Sequence, residues 1–255
     1  MLLAADLGNT QATFGVFDRE SLLAGFDLSS RTPRTGDEWT VALLAHCRQK
    51  GIEPGAIDTA VLCSVVPHMT GLVLGAIERA FGTTALQIGP GVRTGMSILY
   101  DPPQDVGADR IVNAVAAFHR ARGAAIVVDF GTATTFDAIT AKGEYAGGVI
   151  APGLQIGAEA LFARAARLPR VEISRPPAII GKTTIHSIQS GLYHGYAALV
   201  NGMLAPMRGE LGGEARVYAT GGLAGTLADA LEGIEEIVPH LTLEGLRLIH
   251  QKNRT

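Results

Sequence analysis

The feature that most constrains this chain is a turn that occurs twice. Asp6-Leu7-Gly8-Asn9 follows the apolar run Leu2 to Ala5, and Asp129-Phe130-Gly131-Thr132 follows AAIVV at 124–128. Each places glycine two residues after aspartate and a hydrogen-bonding residue after the glycine. Taken singly, either reads as a tight hairpin turn between buried strands, with Asp, Gly and Asn supplying ordinary turn chemistry. The repeat opens another reading, in which two polar turns present backbone N–H groups and hydroxyls to a phosphate.

The elements around the turns repeat too. Residues 2–8, 12–18 and 21–27 predict three short strands in a meander, followed by a helix at 37–50, a strand at 58–65, a helix at 68–80 and a strand at 84–88. A loop rich in glycine and proline, 89–109, leads into a helix at 109–121 with Ile111, Val115 and Phe118 on one face. Residues 124–153 again predict three strands. Helices at 154–165 and 184–207, a strand at 215–219, a helix at 223–231, a short strand near 235–238 and a closing helix at 241–252 follow. The pattern is an α/β chain of two duplicated domains, 1–118 and 119–255. Facing each other, they would bring both turns to one cleft.

Composition narrows the partners. Net charge is −3, with Lys and Arg scattered, so no basic stripe announces nucleic acid and no polybasic block announces a membrane surface. The N-terminus lacks a basic leader region, and no apolar run approaches the roughly 18 residues of a spanning helix. Cys47 and Cys63 are too far apart for a metal pair and read as buried packing in a reduced compartment, so the expected location is cytoplasmic. The chain's 32 glycines against 5% aromatic residues predict many turns and close backbone approaches. Gly191 and Gly195, inside a long helical stretch, cost about 1 kcal/mol each against alanine and predict close helix packing.

A nucleotide phosphate needs close backbone approach, oriented donors, and carboxylate oxygen for its cation. Gly8 and Gly131 permit the approach, Asn9, Thr10, Thr132, Thr134 and Thr135 supply donors, and Asp6 and Asp129 supply charge. The alternative is that the aspartates cap turns and the threonines fill strand faces. GKTT at 181–184 resembles the end of a P-loop, but Pro176 stands where its first glycine is required. GPGVRTG at 89–95 misses the dinucleotide spacing. Asp109 begins a helix, so it serves either as an N-cap or as a carboxylate that accepts a proton from an alcohol during phosphoryl transfer. Arg110 is a solvated charge or an anion clamp.

DLGNT at 6–10, YDPP and VGADR across 100–110, DFGTATTFD at 129–137, GGVIAPG at 147–153 with LP at 168–169, GKTTIHSIQSGLYHG at 181–195 and TGG at 220–222 together resemble the type III pantothenate kinases. The motifs recur in the family's order along nearly the whole chain. The resemblance implies two ribonuclease-H-like, actin-like ATPase domains around a central cleft, and ATP-dependent phosphorylation of pantothenate, the first step of coenzyme A biosynthesis. By motif, Asp6, Leu7, Gly8, Asn9, Thr10, Gln11, Ala12, Thr13 and Thr132 would hold the ATP phosphates. Asp109 would take the proton from the primary hydroxyl of pantothenate. Tyr100, Gly107, Ala108, Asp109, Arg110 and Thr184 would bind that substrate. Asp129 would bind a monovalent cation, potassium or ammonium, and magnesium would accompany ATP with Asp6 nearby. The family also implies a homodimer.

Three positions depart from the family pattern. Tyr-Asp precedes Pro102 where Asn or a similar residue is expected, Asp105 replaces a usual glutamate, and Lys-Thr-Thr at 182–184 replaces Lys-Asn-Thr. None removes Asp109, Arg110, Asp129 or Thr184. GGVIAPG also reads as a strand turning into a helix. On the same scaffold, the alternative function is an ATP-binding regulator without kinase activity, and a chaperone-like ATPase would need peptide-binding segments for which 255 residues leave little room.

Overall fold

Alternating apolar residues and short polar turns build the first sheet of the computed structural model, which describes residues 1–165 and 167–254. Ala166 and Thr255, both inside the predicted second domain, lie outside the described residues. The sheet contains β1 (Leu2–Leu7), β2 (Gln11–Asp18), β3 (Ser21–Ser29), β4 (Thr59–Ser64) and β5 (Ala85–Gln87), in the order β3-β2-β1-β4-β5. β1 to β3 run antiparallel, whereas β4 pairs parallel to β1 and β5 parallel to β4. α1 (Gly36–Gln49) and α2 (Pro67–Phe81) make the crossovers that parallel pairing requires. α1 begins at a capping box, in which the Thr35 hydroxyl accepts from the Glu38 N–H and the Glu38 carboxylate accepts from the Thr35 N–H.

The second sheet repeats this order. β7 (Ala125–Phe130), β8 (Ala133–Ile139), β9 (Glu144–Pro152), β10 (Arg216–Thr220) and β11 (Glu236–Ile237) take the places of β1, β2, β3, β4 and β5, with the same directions of pairing. One strand is added at its edge: β6 (Ser97–Ile98) pairs parallel to β9. Those two residues fall in the predicted 89–109 loop, where the surrounding glycines and prolines hide so short a strand. α4 (Leu154–Arg164) and α5 (Thr184–Glu210) follow β9. The predicted helix at 223–231 is instead α6 (Ala224–Leu227) followed by a 3-10 turn, Ala228–Ala230. Gly225 lowers the helix propensity of that stretch.

Strand alternation divides the first sheet's residues between two cores. Leu3, Ala5 and Leu7 join Phe14, Trp39, Leu43 and Ile77, whereas Leu2 and Ala4 join Val61, Cys63 and the inner faces of α3 (Ala108–Ala121) and α7 (Leu241–Asn253). The second sheet has its own core, Ile126, Val128, Phe130, Phe136, Tyr193, Val200, Val217 and Leu227 among its members. The chain divides accordingly. One unit comprises Met1–Met96, Asp101–Ala116 and Leu241–Thr255; the other comprises Ser97–Tyr100 and Ala117–His240. This differs from a single cut between 118 and 119. The closing helix returns to the first unit because Leu243, Leu246 and Ile249 complete the core begun by Val112 and Val115, and residues 97–100 join the second because β6 hydrogen-bonds to β9.

Candidate active site

In the first unit, Asp6 is the next-to-last residue of β1. It pairs with Thr13 on β2 and with Cys63 on β4. Leu7 is buried and its carbonyl accepts from the Val65 N–H at 3.1 Å, so the strand is anchored up to the turn. The turn is closed by Gly8 N–H donating to the Gln11 carbonyl at 3.0 Å, and the Thr10 carbonyl accepts from Ser30 N–H at 3.0 Å. Asn9 and Gln11 are exposed and Ala12 is buried. The segment Asp6 to Thr13 is thus a fixed turn with an exposed tip, the form expected of a phosphate-holding loop.

Asp109 is the second residue of α3 and not its N-cap. Its Oδ1 accepts from the Arg110 N–H at 2.8 Å. A Cβ at residue 107 would fall 2.5 Å from that oxygen, so glycine at 107 leaves the space that the folded-back carboxylate occupies. The Gly107 carbonyl in turn accepts from Arg110 N–H at 3.1 Å and starts the helix. Ala108 and Asp109 are partly buried, and the Arg110 side chain is buried. Burial raises the Asp109 pKa above the ordinary carboxylate value, while the Arg110 N–H and its guanidinium charge pull the other way. Both Asp6 and Asp109 lie near enough to the buried Cys63 for their charges, after burial itself, to push that thiol well up. Cys63 therefore stays a neutral thiol beside the two carboxylates. It is the buried residue expected from sequence, in a place no sequence pattern marked.

In the second unit, Asp129 occupies on β7 the position that Asp6 holds on β1. It pairs with Thr135 on β8 and with Thr220 on β10. Gly131 and Thr132 form the exposed tip of the turn. Gly221, at φ +91°, brings its backbone so close that a Cβ would sit 2.6 Å from Asp129 Oδ1, so the TGG loop walls the carboxylate. Tyr196 on α5 braces the same hairpin: its hydroxyl lies 2.5 Å from Thr134 Oγ1 and donates to the Pro152 carbonyl at 2.7 Å. Nothing in the sequence separated Tyr196 from any other aromatic residue on a buried helix.

Tyr100 follows β6, where the Leu99 N–H donates to the Tyr145 carbonyl at 2.9 Å. Thr184 belongs to a different neighbourhood. It opens α5, whose N-cap is Thr183, with the Thr183 hydroxyl accepting from His186 N–H at 3.1 Å. Thr184 lines a largely apolar cavity of about 350 Å³ with Leu161, Leu168, Ser187, Ile188 and Leu192. A Cβ at Gly191 or Gly195 would meet nothing within 4 Å, so the close packing predicted at these glycines is not made by this chain's own described residues.

No three His, Cys, Asp or Glu residues gather as a metal cluster among the described residues. The donor set fits cations that share their coordination with phosphate, hydroxyl, carbonyl and water oxygens: one carboxylate at Asp6 and one at Asp129, each opposite a threonine. No helix among them is long and apolar enough to cross a membrane.

Solved structures share the fold. A ROK hexokinase from Thermus thermophilus superposes with a TM-score of 0.50 at 12% identity, covering 99% of both chains. A structure described as a Baf family transcriptional activator from Campylobacter jejuni gives 0.61 at 20% identity, covering 98% of both. At those identities the likeness is one of fold, the two-sheet α/β architecture of the actin-like ATPases and sugar kinases. The sequence profile of the type III pantothenate kinases matches residues 2–206. The type III pantothenate kinase of Anaeromyxobacter sp. (strain Fw109-5) is 50% identical over 254 residues, 100% of each chain. The chain belongs to the type III pantothenate kinase family.

Proposed function

We propose that Asp109 is the general base with which this chain carries out its family's reaction, transfer of the ATP γ-phosphoryl group to the primary hydroxyl of pantothenate. The observation that carries this assignment is the Asp109 carboxylate itself, folded back over Gly107, raised in pKa by burial and near enough to Asp6 to share Cys63 as a neighbour. A raised pKa strengthens a carboxylate as a base. Asp109 accepts the hydroxyl proton as the oxygen bonds to the γ-phosphorus and ADP departs. Product release then returns the proton to solvent.

The segment Asp6 to Thr13 and Thr132 hold the ATP phosphates, chiefly through backbone N–H groups and hydroxyls. Asp6 would lie near the magnesium that accompanies ATP, and Asp129 would hold potassium or ammonium. These cations supply positive charge where phosphoryl transfer accumulates negative charge. Tyr100, Gly107, Ala108, Arg110 and Thr184 bind pantothenate, and the buried Arg110 guanidinium suits an anionic group.

The functional molecule is a homodimer. Ile179 and Ile180 are 68% and 78% exposed just before α5, Ile185 is 48% exposed in its first turn, and the open glycines 191 and 195 lie on the same helix. A second copy would cover this apolar surface. A coupled assay of ADP release tests the reading: activity is expected with ATP and pantothenate together and to rise on adding potassium. Nucleotide binding without turnover would favour the regulator reading instead.

A further inference from the structure

Asp137 ends the DFGTATTFD motif, yet the reaction outlined above gives it no task. It is fully buried on β8. It lies on the same sheet face as Asp129, because Thr135 is opposite Asp129 and Asp137 is opposite Val127. Its Oδ2 lies 3.5 Å from the Thr135 hydroxyl, and its Oδ1 accepts from the Tyr145 hydroxyl at 2.7 Å. Tyr145 is also fully buried.

Regular pairing would not let these two side chains meet. Asp137 pairs with Gly148 and Ala138 with Gly147, so an unbroken ladder would set Ile139 opposite Ala146 and turn Tyr145 to the other face. A bulge intervenes: Ala146 is skipped and Ile139 pairs with Tyr145. Gly147 adopts φ +124°, a conformation that side chains resist, at this irregularity. The bulge re-aims Tyr145 onto the face that carries Asp137 and Asp129. The same residue holds the added edge strand, since Ile98 pairs with Tyr145 and the Tyr145 carbonyl accepts the Leu99 N–H. Tyr100 comes next, and its ring carbon Cδ2 lies 3.7 Å from where a Cβ on Gly147 would stand.

We propose that Asp137 and Tyr145 are a positioning pair for substrate recognition, fixing Tyr100 against the hairpin that carries Asp129 and Thr135. The pair joins β8, the neighbour of the strand that carries Asp129, to the β9 residue from which Leu99 and then Tyr100 follow, within one unit. The inference rests on the assignment of Tyr100 to pantothenate. Losing the Tyr145 hydroxyl removes a hydrogen bond to a buried carboxylate and loosens the residue from which Leu99 hangs.

Three measurements on the full chain test it. Tyr145→Phe is expected to raise KM for pantothenate about tenfold while kcat and KM for ATP stay within about twofold, the cost of a displaced recognition group. Tyr100→Ala is expected to raise the same KM, and Tyr145→Phe added to it is expected to raise it no further. In the unmutated chain, hydrogen exchange at the Leu99 amide is expected to slow when pantothenate binds, which reads the linkage even where a variant folds poorly. A Tyr145→Phe enzyme with unchanged KM beside a Tyr100→Ala enzyme with raised KM overturns the pair and leaves Tyr100 in place. An unchanged KM in Tyr100→Ala overturns the assignment beneath it. A uniform loss of activity at constant KM, tracking the folded fraction, makes the pair merely structural and overturns the proposal, as does Leu99 exchange indifferent to pantothenate.

Discussion

The Asp109 carboxylate is shaped by its nearest atoms: burial raises its pKa, and the Arg110 N–H and charge limit the rise. Two consequences follow with opposite signs. For activity, kcat/KM should fall on acidification through a pKa above the ordinary aspartate value of about 3.9, which a pH–rate profile measures. For stability, a carboxyl whose folded pKa exceeds its unfolded one favours the fold fully only when protonated, below about pH 4, and loses that contribution as pH rises through the folded pKa. Asp109→Asn should therefore melt no lower than the unmutated chain at pH 8, with its advantage shrinking as pH falls through the folded pKa and gone below about pH 4. In its proposed role the residue serves function at the expense of the fold. Of the proposed site, the GADR motif marked the aspartate as a candidate and its helix was legible from sequence. The role of Gly107 in making room for the carboxylate, and of Cys63 as its neutral neighbour, depends on distances that spacing does not encode.

At the scale of elements, α3 presents Asp109 and α7 presses on α3 from the far end of the sequence. A Cβ on Gly245 would stand 2.1 Å from the Val112 carbonyl, and the Thr242 hydroxyl donates to Asn113 Oδ1 at 2.8 Å. Gly245→Ala must push the helices apart or strain them. It should cost about 1–3 kcal/mol, read as a lower midpoint in denaturant, and should slow the enzyme by displacing the proposed base. The longer strands and helices of both sheets were legible in the sequence because each alternates or repeats over enough residues to show its period, and the short β5 and β11 because each falls among apolar residues between helices. β6 was not, being two residues inside a loop rich in glycine and proline, and neither was the β9 bulge, whose glycine pair reads equally as a strand end. The broken helix at 224–230 was overpredicted from apolar spacing alone.

For the whole molecule, the duplicated strand order was legible in the two aspartate turns, but the ownership of α7 was not, because a sequence reads as a line and the last helix closes the first core. Leu241, Leu243, Leu246, Leu248 and Ile249 are all buried there. At about 1.5–3 kcal/mol each they contribute an upper estimate of roughly 8–15 kcal/mol, comparable to the whole stability of an ordinary domain. Residues 1–118 expressed alone should lack a cooperative melt, and the same segment joined to 241–255 by a flexible linker should regain one, by circular dichroism. The proposed reaction turns on one carboxylate. The most direct test is phosphopantothenate formation, measured by mass spectrometry, by the unmutated chain and by Asp109→Asn at equal folded concentration with ATP, magnesium and potassium. The unmutated enzyme should form product and Asp109→Asn should be slower by about 10²–10⁴ with ATP binding retained. Equal rates from the two would contradict the assignment of Asp109 as the base.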